Sequence, residues 1–128
     1  LGVHVLALDN SQPHTAARGR REGLEELLRL HPGCEFVQFV DGDCVVAADW
    51  WRSAEAFLLA HPTAAAVCGR RRELRPSASS YIRLCDDEWN TPVGEAEACG
   101  GDAMMRVAAV QAVGGFRSAL RAGEEPEL

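Results

Sequence analysis

Phe36-Val37-Gln38-Phe39-Val40-Asp41-Gly42-Asp43 decides how the rest of the chain is read. The residues before Asp41 are mostly apolar, two β-branched and two aromatic, the composition of a buried parallel strand. Two carboxylates then follow one residue apart. Side chains alternate along extended backbone, so Asp41 and Asp43 point to one side. At the mouth of an apolar strand they stand at the carboxyl edge of a sheet, where open α/β folds bind ligands. Like charges this close call for a cation between them, and hard oxygen ligands favour Mg²⁺ or Mn²⁺. The plainer alternative is a loop that closes the strand with two solvated acids.

Working outward, Gly2 to Asp9 reads as a strand already inside a sheet, followed by a turn at Asn10-Ser11-Gln12-Pro13. Thr15 to Leu30 reads as a helix, with Ala16, Ala17, Leu24, Leu27 and Leu28 as its apolar stripe. Gly19 and Gly23 weaken its first half, which is then either irregular or packed closely against a neighbour. His31-Pro32-Gly33 ends it. Beyond the two acids, Asp49 is a candidate N-cap for a helix from Trp50 to His61, with Trp50, Ala54, Phe57 and Leu58 on one face. Ala64 to Cys68 reads as a short buried strand and Arg75 to Ser80 as loop. Tyr81 to Trp89 reads as a helix ending in a wet acidic patch of Asp86, Asp87 and Glu88. A strand is expected at Ala103 to Met105 and a helix at Arg106 to Val113, closed by Gly114-Gly115. Strands alternating with helices indicate an α/β layered fold.

The composition fits that picture and narrows the function. The chain has 128 residues, the size of one domain or part of one, and is 47% hydrophobic and 25% charged. A net charge of −6 argues against wrapping nucleic acid. All 13 basic residues are arginines, which excludes Schiff-base and P-loop chemistry, since both need lysine. No apolar run approaches the ~20 residues of a membrane span. The five cysteines, Cys34, Cys44, Cys68, Cys85 and Cys99, show no Cys-x-x-Cys spacing and read as reduced, mostly buried thiols. The abrupt start at a strand and the end at Gly123-Glu124-Glu125-Pro126-Glu127-Leu128, a helix entry, lead us to expect a truncated domain.

Five separated motifs agree in order: Ala17-Arg18-Gly19-Arg20-Arg21-Glu22-Gly23, Phe39-Val40-Asp41-Gly42-Asp43, Gly100-Gly101-Asp102-Ala103-Met104-Met105-Arg106, Val113-Gly114-Gly115-Phe116 and Gly123-Glu124-Glu125. In this the chain resembles the family 2 inverting glycosyltransferases, over nearly its whole length. The resemblance implies a GT-A fold, the Rossmann-like layered α/β fold of nucleotide-diphospho-sugar transferases, here as a partial domain. It implies metal-dependent transfer of a sugar from a nucleotide-diphosphate donor, most readily a UDP-sugar, to a hydroxyl of a carbohydrate or lipid acceptor. Such donors are cytosolic, so a cytoplasmic site or the cytoplasmic face of the membrane is implied. Asp43 would be the metal ligand proper, and Asp41 would face the donor's ribose or sugar side and reach the metal through water. Mn²⁺ or Mg²⁺ would neutralise the charge that builds on the leaving diphosphate. Glu125 occupies the position where the family usually has the Asp of Glu-Asp, and is the candidate base for inversion, with Glu124 as its alternate. Arg18 would lie on the donor side. Arg21 departs from the family, which usually has Asn there.

Further candidates take their substrate from that resemblance and their chemistry from the residues. Gly100-Gly101 would let backbone approach a sugar or acceptor closely. Asp102 would hydrogen-bond a sugar hydroxyl or simply cap the next strand, and Trp89 would stack on an acceptor ring. Arg70, Arg71 and Arg72 form the densest positive cluster, suited to a phosphate or an anionic acceptor, or to a solvated face. Trp50 and Trp51 read as helix packing, and the four histidines have no ligand spacing. Three rivals remain: a nucleotidyltransferase of similar layout, a non-catalytic nucleotide-sugar-binding module, and a haloacid-dehalogenase-type hydrolase with Asp41 as nucleophile. The last lacks the lysine its chemistry requires.

Overall fold

The computed structural model describes residues 2–96, 98–99 and 102–120. Among these, the chain is a mixed α/β structure with three strands and four α-helices. Strands β1 (Phe36–Gln38) and β2 (Ala66–Cys68) flank β3 (Ala103–Arg106), giving the order β1-β3-β2. Val37 pairs with Met105 and Val67 with Met104, and both pairings are antiparallel. The ladder extends past its formal ends, because Phe39 N–H donates to the Ala103 carbonyl and Arg106 N–H to that of Ala65. The expected parallel neighbour of β1 is therefore replaced by an antiparallel one. β1 and β2 still run the same way, on either side of β3, so both deliver their carboxyl ends to the edge where β3 begins.

The alternation of side chains sorts the core into two layers. Val37, Ala103 and Met105 face one side, where they meet Ala17 and Leu24 of α1 (Ala16–Leu30), Val107 and Val110 of α4 (Val107–Ala112), and Phe116. Met104 faces the other side, with Ala54 and Leu58 of α2 (Trp50–Ala60) and the partly buried Phe36, Trp50 and Val67. Among the described residues, Leu58 and Phe116 are the largest side chains removed almost wholly from solvent. Each such burial contributes about 1.5–3 kcal/mol. The fourth helix, α3 (Ser80–Trp89), lies apart from both layers and packs on the short turn Pro76–Ala78.

Local chemistry explains the boundaries. Thr15 caps α1 by accepting from Arg18 N–H, and its hydroxyl donates to the Ser118 carbonyl, tying the helix start to the chain after Phe116. Gly19 and Gly23 neither break α1 nor serve close packing, because a Cβ on either would meet no atom within 4 Å. Close approach occurs instead at Gly69, where a Cβ would lie 3.1 Å from the Trp50 ring. Gly114 and Gly115 take φ of +85° and +71°, the left-handed backbone that ends α4 and turns Phe116 inward.

Four expectations are corrected. Residues 2–9 form no strand and are mostly exposed, despite their apolar content. They find no ladder among the described residues, and His4 instead pairs with Glu26 at 2.9 Å. Asp49 precedes α2 but makes no side-chain cap bond. Asp86 is not in a wet patch: it is buried, receives two bonds from the Arg72 guanidinium and a third from Glu73 N–H. Arg72 holds its carboxyl down at about 2. The thiols are all free, yet four are half-buried and Cys44 is exposed.

Candidate functional site

Asp41, Asp43 and Asp102 come to the same edge of the sheet from two segments. The first two sit on the turn that leaves β1, and Asp102 directly precedes β3. Asp43 is exposed and Asp41 half-buried. All three act on one point, the Cys44 thiol, which is pushed up first by burial and then by Asp43, Asp41 and Asp102 in turn. The Asp102 carboxyl is itself pushed up, chiefly by burial and further by Asp41. Its Oδ1 is a buried oxygen without a hydrogen-bond partner among the described residues. Arg71 Nε lies 3.7 Å from that oxygen, close enough to pull the carboxyl partly back down but too far for a hydrogen bond.

Two arginines supply the counter-charge. Arg71 leaves the carboxyl end of β2 and stacks its guanidinium 5.4 Å from the centroid of the Trp89 ring. Arg20, on α1, pairs with Asp41 at 2.7 Å and lies 5.9 Å from the centroid of Phe116. Phe116 in turn meets Phe39 edge-on at 5.1 Å. The Val-Gly-Gly-Phe motif thus supports the cation that faces Asp41.

The three consecutive arginines have separate fates. Arg72 is bound to Asp86, Arg71 reaches the carboxylate edge, and Arg70 is exposed. Arg18 is buried, donating to the carbonyls of Asp9, Gln12 and Pro13 and to Glu22, so its guanidinium fastens the 9–13 loop to α1. Trp89 is partly exposed, with one face covered by Arg71. Gly101, Glu124 and Glu125 lie outside the described residues.

Sequence reading missed Arg20 and Arg106. Arg20 was hidden between two arginines matched to a motif, although a carboxylate pair at a sheet edge demands a nearby cation. Arg106 closes the Gly100-to-Arg106 motif and works at the other end of the sheet. It donates to the carbonyls of Leu58, His61 and Ala64, which are the last acceptors of α2 and the turn after it. An open surface cavity of about 640 Å³ also lies at that end, lined by Pro32, Glu35, Arg106 and Gln111 among others.

Among the described residues no three His, Cys, Asp or Glu side chains are arranged to hold a metal ion. A Mg²⁺ or Mn²⁺ site need not have three, since such ions keep several waters and take one or two carboxylates plus substrate phosphates. Asp43 and Asp41, both oxygen donors on one solvent-facing turn, fit that pattern. No helix among the described residues is long and apolar enough to cross a membrane. No family model, no curated protein and no solved structure matches the chain.

Proposed function

We propose that the chain is the donor-binding part of a metal-dependent, inverting glycosyltransferase of the GT-A type, acting at the cytoplasm or the cytoplasmic face of a membrane. The observation that supports this most is the convergence of Asp41, Asp43, Asp102 and Arg71 on the edge where β1 and β2 end. A site with three carboxylates and few compensating charges suits a polyanion only when a divalent cation comes with it. Mn²⁺ or Mg²⁺, held by Asp43 with Asp41 beside it, would supply the positive charge that a departing diphosphate needs. Arg20 holds Asp41 in place. Asp102 Oδ1, which has no hydrogen-bond partner among the described residues, is ready to accept from a sugar hydroxyl. Trp89, its rear face backed by Arg71, offers its open face to a sugar ring. Glu125, with Glu124 beside it, would take the acceptor's proton.

The test is calorimetric titration of UDP with Mn²⁺ and with EDTA, on the wild type and on Asp43→Asn. Binding that requires both the metal and Asp43 is expected, and binding unchanged by either removal overturns the reading. Glu125→Gln separates catalysis from binding: it should spare UDP binding and stop sugar transfer in the intact enzyme.

A further inference from the structure

Residues 69–84, which run from the end of β2 into α3, differ in charge from the rest of the chain. They carry five arginines and one acid, a local charge of +4 in a chain whose net charge is −6. Two of the five are paired: Arg72 binds Asp86, and Arg71 lies between Asp102 and Trp89. Arg70, Arg75 and Arg83 are exposed and, among the described residues, have no ion pair or side-chain hydrogen bond. Arg52 is the one other described arginine in that condition. On α1, by contrast, Arg18, Arg20, Arg21 and Arg29 each face a carboxylate. Large apolar side chains accompany the unpaired cations: Leu74, Tyr81 and Leu84 are 79%, 74% and 56% exposed. Tyr81 and Leu84, three positions apart, share one face of α3. Asp86 turns inward from the opposite face, and the helix packs on the Pro76–Ala78 turn. Asp87 and Glu88 gather at the carboxyl end of α3, so the basic and apolar end is the amino end.

We propose that this arm docks on an anionic lipid bilayer, with Arg70, Arg75 and Arg83 among the headgroups and Leu74, Tyr81 and Leu84 at the boundary with the acyl chains. Charge complementarity selects an anionic surface, and the apolar side chains select lipid over a soluble polyanion. A polysaccharide or a nucleic acid would satisfy the arginines but leave three large apolar side chains in water. At a bilayer surface those side chains leave water, and the Tyr81 ring keeps its hydroxyl at headgroup depth. With 10 residues α3 is too short to span a membrane, so the binding is peripheral and reversible. The arm's +4 leaves −10 on the remainder, which the same surface repels, and this turns the arm toward the lipid. Docking would bring the edge that holds Asp102 and Arg71 to the bilayer and favour a lipid-borne acceptor over a free sugar. That consequence rests on the sugar-transfer reading, whereas the docking itself does not.

The test is flotation of the purified chain with phosphatidylcholine vesicles, with and without phosphatidylglycerol, at about 0.1 M salt. Flotation only with phosphatidylglycerol is expected. An arginine near an anionic surface contributes about five-fold in affinity, so changing Arg70, Arg75 and Arg83 together to Gln should weaken binding about a hundred-fold. Arg52→Gln, on α2, should leave it unchanged. Tyr81→Ser with Leu84→Ser should weaken it about ten-fold or more with every arginine in place. Circular dichroism checks that each variant is folded. No flotation, or flotation that ignores the lipid charge, would overturn the proposal. Flotation that survives the loss of both apolar side chains would also overturn it and assign the arm to a soluble polyanion. Asp43→Asn should float as the wild type does, so docking and donor binding stand or fall separately.

Discussion

The two ends of the three-stranded sheet are finished differently. At the end where β1 starts and β3 stops, Arg106 donates to three carbonyls, Val107 N–H donates to Glu35, and the strand ladder closes on Ala65. At the opposite end three carboxylates gather, one buried oxygen lacks a partner among the described residues, and Arg71 stands just out of hydrogen-bonding range. The first end is satisfied by the protein itself. The second is not, and a buried polar group left unmet among the described residues calls for an explanation in function or in strain. The open cavity lined by Pro32, Glu35, Arg106 and Gln111 lies at the satisfied end, away from the unmet chemistry. The chemistry is the better guide here, since polyanion binding needs charge at an accessible edge more than it needs an enclosed volume.

If the satisfied end carries the stability, substitutions there should cost most. Leu58→Ala beneath Arg106 should lower unfolding free energy by about 3 kcal/mol in urea titrations. Asp102→Asn at the other end should leave it within about 0.5 kcal/mol of wild type. Equal losses at the two sites would erase the contrast.

A sharper test uses pH. The Asp86 carboxyl sits at about 2 in the folded chain against 3.8 when unfolded, because of Arg72 and Glu73 N–H. A lowered carboxylate contributes stability above its unfolded value and loses it as pH falls through its folded value. The stability difference between wild type and Asp86→Asn should therefore hold at pH 5 to 7 and fade between about 4 and about 2. Glu26, held at about 2 mainly by Arg29, fades in the same window in both proteins and so cancels. Asp102 works the other way: its raised carboxyl disfavours the fold once ionised, which adds stability as pH falls and cancels likewise. A difference that persists at pH 2 would mean that Asp86 acts through packing rather than charge.

The smallest expected effect falls outside both ends. Gly23 is exposed on α1 with open space where a Cβ would go, so Gly23→Ala should raise stability by about 0.5–1 kcal/mol and leave ligand binding unchanged. A loss would show that the glycine is needed for something other than helix continuity.

Much of the fold was legible because the period of the side chains carried it. Thr15, Gly114 and Gly115 mark their helix ends by capping and backbone chemistry, and the apolar, β-branched and aromatic content of Phe36 to Val40 marked a strand, although the structure covers it only on one face. Strand direction was not legible: an apolar run looks the same beside a parallel or an antiparallel neighbour, and only the pairing with Met104 and Met105 settles it. Residues 2–9 show the same limit, since strand-like residues need a partner ladder to become a strand. At the candidate site, Asp41 and Asp43 were readable from their spacing. Which arginine serves which acid was not, because Arg20–Asp41, Arg71–Asp102 and Arg72–Asp86 span 21, 31 and 14 positions in sequence and depend on tertiary placement.

The most direct test asks which end of the sheet receives the ligand. In ¹⁵N-labelled chain titrated with Mn²⁺ in the presence of UDP, paramagnetic broadening should fall on the amides of Asp41 to Cys44, Gly69 to Arg71 and Asp102. The amides of Cys34, Glu35 and Arg106 to Gln111, around the cavity at the other end, should stay sharp. Broadening centred on that cavity, or spread evenly over the surface, would contradict the account.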